Sequence, residues 1–211
     1  MPTYAILGAS GYTGRSLLTL LLKDPNNTIK AYVRSKSKLL ALFPGLEGNK
    51  SVRIFNGPLN DIPLLASCIS SDVNAVFCVL GRNESVPGMR IAQDAAQSLV
   101  AALCYPNPAT NSAKKVAKII YLSSASLNPR IGANEPRLLL WVVQTAFSYI
   151  YADLALAEAY LRLHKSWLDV TFMTPGGLVE DEQKGHVLTM DHVKTFLSYP
   201  DLAAGMIEVA E

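Results

Sequence analysis

A glycine-rich run near the N-terminus carries the clearest chemical signal in the sequence. The run GASGYTG spans residues 8–14, follows a short apolar run and leads directly into a helical pattern. Gly8 permits a tight turn, Gly11 lets the backbone approach a pyrophosphate, and Gly14 lets the helix pack closely on the strand. The pattern therefore predicts a phosphate-binding turn between the first strand and the first helix.

The helix that begins after this turn supplies the attraction for an anion. Its first N–H groups have no partner within the helix, and its macrodipole places partial positive charge at the same end. The hydroxyl groups of Ser10 and Thr13 are expected to add hydrogen-bond donors. A glycine turn without a ligand is the alternative, but the position between a strand and a helix favours a dinucleotide site.

The end of the second predicted strand indicates which dinucleotide is bound. Arg34 lies twenty positions beyond Gly14, where a NAD-selective site would carry an acid for the ribose 2′-hydroxyl. A guanidinium there can make two charge-assisted hydrogen bonds to a 2′-phosphate, and Lys36 and Lys38 add positive charge nearby. An ordinary solvated basic loop is the alternative. The sequence favours NADP(H) over NAD(H).

The elements that position these residues alternate along the chain. Short apolar runs predict strands, and longer segments between them predict helices. The predicted strands are 3–8, 29–33, 51–55, 74–80, 117–122 and 168–173. The predicted helices are 12–23, 36–43, 61–68, 88–104, 136–164 and 200–210. Right-handed crossovers then predict an α/β fold, a Rossmann-type doubly wound parallel sheet in the order 3-2-1-4-5-6 with helices on both faces.

The length of 211 residues and a hydrophobic content of 50% predict a single NAD(P)-binding domain over residues 1–211. Two segments are expected to be irregular. The segment 105–112 contains two prolines, and the segment 176–195 is expected to form a small excursion on the substrate side. Ser198 is expected to cap the last helix, with Asp201 in its first turn.

Composition and charge limit the classes of partner. The 19 basic and 17 acidic residues give a net charge of +2 and are spread along the chain, so a nucleic-acid partner is not expected. The apolar segment 138–151 predicts a buried helix, with the wall of an apolar ligand site or membrane contact as alternatives. No signal sequence is evident, so a cytoplasmic protein without membrane association is expected.

Other kinds of site lack their sequence patterns. The three cysteines, Cys68, Cys78 and Cys104, have no CxxC spacing and are expected to be reduced, buried thiols. The three histidines show neither HExxH nor i,i+4 pairing, so no metal site is expected. A GxSxG elbow and a Walker lysine are also absent from the sequence.

The order of several motifs resembles the atypical short-chain dehydrogenases, in particular the NmrA-like and biliverdin-reductase-B-like proteins. These motifs are GASGYTG, VRSKSK, VLGRN, YLSS, MTPG and DLAA. A closer resemblance, to the averufin-oxidase-A-like oxidoreductases of fungal aromatic polyketide pathways, is carried by KSKLLALFPGLE, SSASLNP, YADLALAEAYLR and TPGGLV.

The resemblance implies a cofactor laid across the C-terminal ends of the strands, with the nicotinamide near residues 80–83, Ser124 and Pro175. This position agrees with the general rule for open α/β sheets. Gly176 stands where biliverdin reductase B has a histidine. The expected cofactor-binding residues are Gly8, Ser10, Gly11, Tyr12, Thr13, Gly14, Arg34, Lys38, Leu80, Gly81, Arg82, Ser123, Pro175 and Gly176.

The chain departs from the family in the catalytic Tyr-Lys pair, whose members lie four residues apart and whose lysine lowers the pKa of the tyrosine. Counted back from Glu158, the two positions hold Ile150 and Leu154, which are apolar. Tyr149 and Asp153 have the right spacing, but a carboxylate cannot lower the pKa of a phenol. The usual proton relay is therefore expected to be absent.

Three other side chains are candidates for proton transfer, besides water and the phenols of the substrate. Ser124 is one, although a serine at a strand end can equally satisfy local backbone groups. Tyr151 and its neighbour Tyr149 are the others, and packing or substrate hydrogen bonding is the alternative role for Tyr151.

Residues and resemblance together predict an enzyme, an NADP(H)-dependent oxidoreductase of secondary metabolism. Its substrate is expected to be an apolar small molecule, aromatic or polyketide-derived, enclosed by the helix at 138–151 and the 176–195 excursion. The rate gain is expected to come from orienting the nicotinamide against a bound acceptor in a dry cleft. One alternative is an NADP-binding redox sensor of the NmrA type without catalysis, and another is a non-redox isomerase or cyclase.

Overall fold

A computed structural model describes residues 1–82, 84–106, 117–128, 130 and 145–211. One sheet contains six strands, namely β1 (Thr3–Leu7), β2 (Thr28–Val33), β3 (Val52–Asn56), β4 (Ala75–Cys78), β5 (Lys118–Leu122) and β6 (Val170–Met173). The helices in the described ranges are α1 (Tyr12–Leu21), α2 (Lys36–Leu42), α3 (Ile62–Cys68), α4 (Ile91–Cys104), α5 (Ser148–Leu163) and α6 (Tyr199–Ala210). A second, two-stranded sheet consists of β7 (Gly177–Val179) and β8 (Phe196–Ser198).

The strand order in the large sheet is β3-β2-β1-β4-β5-β6, and every neighbouring pair is parallel. The predicted Rossmann-type order is thereby confirmed. Because β1 pairs with β2 on one side and with β4 on the other, the chain reverses its winding direction at β1. The carboxyl ends of these strands open a crevice at that point.

Two apolar layers cover the sheet, one on each face. On one face α1 and α6 pack against the strands through Leu17 and Met206, both fully buried. On the other face α3, α4 and α5 do so through Leu65, Leu99 and Leu161. Strands covered on both sides consist of nearly continuous apolar residues, which is the reason that short apolar runs identified them in the sequence.

The junction between β1 and α1 depends on close backbone contact. Gly8 has a φ of +99°, a conformation that favours glycine, and its carbonyl oxygen accepts a hydrogen bond from the N–H of Gly11 at 3.0 Å. A Cβ atom added at Gly14 would lie 2.1 Å from the same carbonyl oxygen and 2.8 Å from the Cα atom of Ala9. A side chain at Gly14 would therefore push α1 away from β1.

The segment predicted as irregular, 176–195, contains a strand that the sequence pattern did not predict. β7 lies in it and pairs in parallel with β8, which follows it. Asp201 of α6 anchors the residues between these strands, because its carboxylate accepts the N–H groups of Lys184 at 3.0 Å and Gly185 at 2.7 Å. The predicted cap of the last helix is confirmed, since the Ser198 hydroxyl accepts the N–H of Asp201 at 3.1 Å.

Three predictions fall partly outside the described residues. The predicted helix 136–164 corresponds to α5 in its later part, whereas residues 136–144 lie in the range that is not described. The apolar segment 138–151 and the predicted loop 105–112 are likewise described only in part. Within the described ranges, no helix combines the length and hydropathy needed to cross a bilayer.

The cysteines differ from each other in their burial. Cys68 and Cys78 are buried, and burial raises the pKa of both thiols to about 12, so they are protonated at neutral pH. Cys104 is only partly buried, because it is the last residue of α4, and the prediction of three buried thiols is wrong at this position. All three cysteines are free thiols.

Replacement of Gly14 by alanine is expected to destabilise the fold by about 1–3 kcal/mol, the usual cost of forcing an extra group into packed structure. Gly45→Ala is the matched control, since a Cβ atom there would meet nothing within 4 Å. Urea unfolding followed by circular dichroism compares the two variants with the wild type. Equal free energies of unfolding for both variants would contradict the close packing of α1 on β1.

Asp201 is expected to make the stability depend on pH. Its burial raises the pKa of the carboxyl group, but hydrogen bonds from Ser198 and from the backbone of Lys184 and Gly185 outweigh this and lower the pKa below its usual value. The stabilisation is therefore present above the unfolded pKa of about 3.9 and is lost as the pH falls through the lower folded value.

Urea unfolding at pH 7 and at pH 3 tests this dependence. Asp201→Asn is expected to lower the free energy of unfolding by about 1.5–3 kcal/mol at pH 7, the range for hydrogen bonds to charged groups, and by less at pH 3. Glu208→Gln is the control on the same helix, because the Glu208 side chain is exposed and its pair with His186 contributes little. A loss for Asp201→Asn that is the same at both pH values would refute this account.

Candidate cofactor-binding and active site

A cleft of about 1220 Å³ lies at the carboxyl ends of β1, β2 and β4. Its walls are the glycine turn after β1, the residues that follow β2, the loop after β4 and the first half of α4. The predicted cofactor-binding residues in its lining are Gly8, Ser10, Gly11, Arg34, Lys38, Leu80, Gly81 and Arg82. The fold thus brings together residues from three separate parts of the sequence at one crevice.

The N-terminus of α1 lies at this cleft without a side-chain cap. Gly11 occupies the N-cap position, and no acidic residue lies in the first turn of the helix. The N–H groups of the first turn and the positive end of the helix dipole are therefore available to an anion. Thr13 and Gly14 belong to this turn but lie outside the cleft lining, and Thr13 is buried.

The Tyr12 side chain takes a different direction from the one expected of a cofactor-binding residue. Its ring stacks on Tyr199 of α6 with the ring centroids 5.0 Å apart, and the Arg15 guanidinium lies 4.5 Å from the Tyr12 ring centroid. Both tyrosines line a separate cavity of about 770 Å³ between α1 and the segment after β7. The Tyr12 side chain therefore points away from the cofactor cleft, and Tyr12 can contribute to cofactor binding only through its backbone.

Arg34 is exposed at the end of β2 and lines the cleft. It forms no ion pair with any residue in the described part of the chain. The backbone around it is held by two hydrogen bonds, from the N–H of Lys38 to the Ser35 hydroxyl at 3.2 Å and from the N–H of Lys36 to the Asn56 amide oxygen at 2.7 Å. A fixed backbone with an unpaired guanidinium suits the binding of a phosphate.

A second group of predicted residues meets at the ends of β5 and β6. The hydroxyl of Ser124 accepts the N–H of Ser126 at 3.4 Å and caps a short 3-10 helix, Ala125–Leu127. The Ser126 hydroxyl lies 3.3 Å from the Tyr151 hydroxyl, and the N–H of Ala125 donates to the Pro175 carbonyl at 2.9 Å. Serine hydroxyls, a phenol and Pro175 are thereby assembled beside one another.

Two of the remaining predicted residues have structural partners of their own. Ser123 is buried, and its hydroxyl donates a short hydrogen bond to the carboxylate of Glu158. A Cβ atom at Gly176 would lie 2.3 Å from the Lys194 carbonyl oxygen, so the backbone leaves no space for the histidine side chain found there in biliverdin reductase B. Neither residue is part of the cleft lining.

Tyr149 and Tyr151 differ in their surroundings although both lie in the first turn of α5. Tyr149 is 46% exposed, and its backbone N–H donates to the Ser85 hydroxyl at 3.3 Å. Tyr151 is half-buried and packs on Phe147 in a tilted arrangement, with the ring centroids 6.2 Å apart. Tyr151 is therefore the more enclosed phenol of the two.

Sequence reasoning missed several parts of this site. The cleft wall contains residues 86–91, which had no recognisable motif, whereas no residue of 176–195 is part of its described lining. Ser126 lies in the motif SSASLNP, in which no pattern distinguishes it from its neighbours. Asp153 has the spacing of a partner for Tyr149, but an acid in an apolar helix also indicates a buried polar contact. Its contacts prove to be with α4.

No group of three or more potential metal ligands was found among the described residues. The chemistry that the geometry offers is accordingly an uncapped helix end and an unpaired guanidinium in one cleft, with hydroxyl groups on the neighbouring strand ends. This combination is typical of nucleotide binding at the switch point of a doubly wound sheet.

Comparison with known proteins agrees with this geometry. The model of the NAD(P)H-binding family matches residues 8–211. The oxidoreductase ordB of Dothistroma septosporum is 46% identical over 211 residues, which cover 100% of this chain and 78% of the relative. The oxidoreductase stcQ of Emericella nidulans is 44% identical over 215 residues, with 100% and 78% covered.

Solved structures show the same fold at low identity. A short-chain dehydrogenase/reductase from Veillonella parvula in complex with NADP superposes with a TM-score of 0.74 at 21% identity, over 99% of this chain and 86% of that chain. ChuY, an anaerobilin reductase from Escherichia coli O157:H7, gives a TM-score of 0.69 at 19% identity over 99% and 90%. Because the fold, the family model and the fungal relatives agree, the chain belongs to the NAD(P)H-binding family and is an oxidoreductase of the ordB and stcQ type.

Proposed function

We propose that this chain is an NADP(H)-dependent oxidoreductase that acts on an apolar, aromatic small molecule of fungal secondary metabolism. One observation carries the proposal, namely that the uncapped N-terminus of α1 and the unpaired Arg34 line the same cleft. The first suits a diphosphate, and the second suits the additional phosphate that distinguishes NADP(H) from NAD(H). The fungal relatives named as oxidoreductases support the reaction class.

The charges of the lining support the choice of NADP(H). Arg34 and Lys38 are both exposed in the cleft lining, and both follow the end of the second strand. Arg34 offers a planar fork of donors for the 2′-phosphate, and Lys38 adds a point charge. An acid that would bind a ribose 2′-hydroxyl is absent from position 34.

When bound, NADPH supplies a hydride, and the residues of the chain orient it and handle the proton. In this proposal the α1 N-terminus holds the diphosphate, and the nicotinamide lies near residues 80–82 and Pro175, as the resemblance implies. Tyr151, with Ser126 and Ser124 beside it, is the proton donor to the reduced substrate. A Tyr-Lys pair takes no part, since Leu154 is packed on the apolar core at the position of the lysine.

The part of the cleft beyond the glycine turn suits an apolar substrate. Val86, Pro87, Met89 and Ile91 contribute apolar side chains to its lining. The first turn of α5 is tied to this wall through Ser85 and exposes aromatic side chains beside it. Flat aromatic molecules pack well between such surfaces, which matches the polyketide-like substrate expected from the sequence.

Arg34→Ala is expected to raise the Kd of NADPH by about 10- to 100-fold, because a charge-assisted contact to the 2′-phosphate is lost. The Kd of NADH is expected to change little, since NADH lacks that phosphate. Lys50→Ala serves as the control, because Lys50 is an exposed lysine outside the cleft lining. Isothermal titration calorimetry gives both constants, and equal losses for the two nucleotides would overturn the role of Arg34.

Wild-type protein is expected to oxidise NADPH in the presence of members of a panel of polycyclic quinones. Tyr151→Phe is expected to lower kcat by about 100-fold, as for loss of a general acid, with an unchanged Kd for NADPH. Tyr160→Phe is the matched control, since Tyr160 lies on the same helix and packs against the core. Absorbance at 340 nm follows the reaction.

The same panel separates the proposal from its two alternatives. Tight NADPH binding without oxidation by any quinone would favour a redox sensor. A sensor needs no catalytic lysine, so Leu154 at the lysine position is compatible with that function. A product with the mass of its substrate would indicate an isomerase or cyclase. Either result would refute the oxidoreductase reaction proposed here.

A further inference from the structure

Asp153 is a buried carboxylate on a helix whose first turn is exposed. Only 2% of the residue is accessible, compared with 46% of Tyr149 one turn earlier. Its Oδ2 accepts the N–H of Ala92 at 2.8 Å, and its Oδ1 accepts the N–H of Gln93 at 3.0 Å and the side-chain amide of Gln93 at 3.1 Å. These partners all belong to the first turn of α4.

The Asp153 carboxylate caps the N-terminus of α4, which has no capping side chain from its own N-cap residue. The N-cap residue, Arg90, makes no side-chain capping bond, and the first N–H groups of a helix need partners when they are buried. Asp153, 61 positions away from Ala92, supplies them. The positive end of the α4 dipole and the three hydrogen bonds in turn offset the cost of burying the charge.

The turn that Asp153 holds is part of the cofactor cleft. Arg90, Ile91 and Asp94 line the cleft, and they continue the wall that begins at Val86. A second bond fixes the same turn to the sheet, since the Tyr121 hydroxyl donates to the Ala92 carbonyl at 2.8 Å. The position of this wall is therefore set by two groups, one on α5 and one on β5.

On the other side, Asp153 lies two positions after Tyr151 on α5. The Tyr151 hydroxyl lies 3.3 Å from Ser126, at the ends of the strands where the hydroxyl groups meet. Any shift between α4 and α5 would therefore change the distance between this phenol and the cleft wall. Near-attack geometry is sensitive to displacements of about 1 Å.

We propose that Asp153 is a positioning residue for the reaction, which joins the α4 wall of the cofactor cleft to the helix that carries Tyr151. It touches neither cofactor nor substrate, and it acts by holding α4 and α5 in a fixed relative position.

A second effect follows from the negative charge of Asp153. Because the α4 N-terminus is already occupied by a carboxylate, the α1 N-terminus is left as the helix end in this cleft that is open to a diphosphate. The expected effect of Asp153 on catalysis rests on the proposed function, whereas its contact with α4 does not.

The test compares Asp153→Asn and Asp153→Ala with a matched control, Asp201→Asn. Asp201 is also a buried carboxylate that accepts two backbone N–H groups, but it holds the segment after β7 and not the cleft wall. Asparagine at 153 can still accept one N–H group and presents its NH₂ to the other, whereas alanine accepts neither. The loss is therefore expected to be graded from asparagine to alanine.

Four measurements are made on each protein. The Kd of NADPH is expected to change by less than about threefold, because the hydrogen bonds of Asp153 involve neither the glycine turn nor Arg34. With an accepted quinone, kcat is expected to fall about 10-fold in Asp153→Asn and about 100-fold in Asp153→Ala. Amide hydrogen exchange over residues 84–98 is expected to accelerate in both, and the emission lifetime of bound NADPH to change. Asp201→Asn is expected to leave all of these as in the wild type.

The outcomes separate this inference from the proposed function. Failure of the wild type to bind or oxidise NADPH counts against the proposed function, and the exchange over residues 84–98, which needs no cofactor, then still decides whether Asp153 holds the wall. Exchange at the wild-type rate in Asp153→Ala would overturn the inference. Faster exchange with an unchanged kcat and an unchanged NADPH lifetime would also overturn it, because Asp153 would then be structural alone.

Discussion

The contact between the first turn of α1 and the Gly8 carbonyl governs the rest of the structure. With no side chain at Gly14, the helix comes close enough to β1 for its N-terminus to lie at the crevice beside the switch point of the sheet. Gly11 then leaves that end uncapped, so its N–H groups face the cleft rather than a side chain of the protein. The other groups of the cleft lining, from the residues after β2 and the loop after β4, lie around this helix end.

The two halves of the chain contribute to the site in different ways. The first half offers the glycine turn and the residues after β2, together with four cationic side chains and the apolar side chains between residues 86 and 91. The second half contributes hydroxyl groups at the ends of β5 and β6, held by a chain of hydrogen bonds through Ser124, Ser126 and Tyr151. Backbone groups suit the phosphates of a cofactor, and hydroxyl side chains suit proton transfer. The bond from Asp153 to α4 links these halves.

Most of the fold followed from local sequence pattern. Buried parallel strands leave apolar runs, and the spacing from Gly14 to Arg34 identified the cation at the end of β2. Contacts between distant residues leave no such pattern. β7 and β8 have three residues each and lie far apart in sequence, so neither had a recognisable period. The stacking of Tyr12 on Tyr199 and the capping of α4 by Asp153 also depend on the folded chain.

The small sheet of β7 and β8 fixes both ends of the segment between these two strands. The residues between these strands leave at the end of β7 and return to the start of β8, which pairs with Gly177, and the Gly176 backbone lies against the Lys194 carbonyl with no room for a side chain. Closing a longer loop over fixed ends adds entropy cost only slowly. Insertions at the tip of this segment would consequently remodel the surface beside α1 and α6 while the register of the six-stranded sheet stays the same. Evolution can thus diversify that surface independently of nucleotide binding.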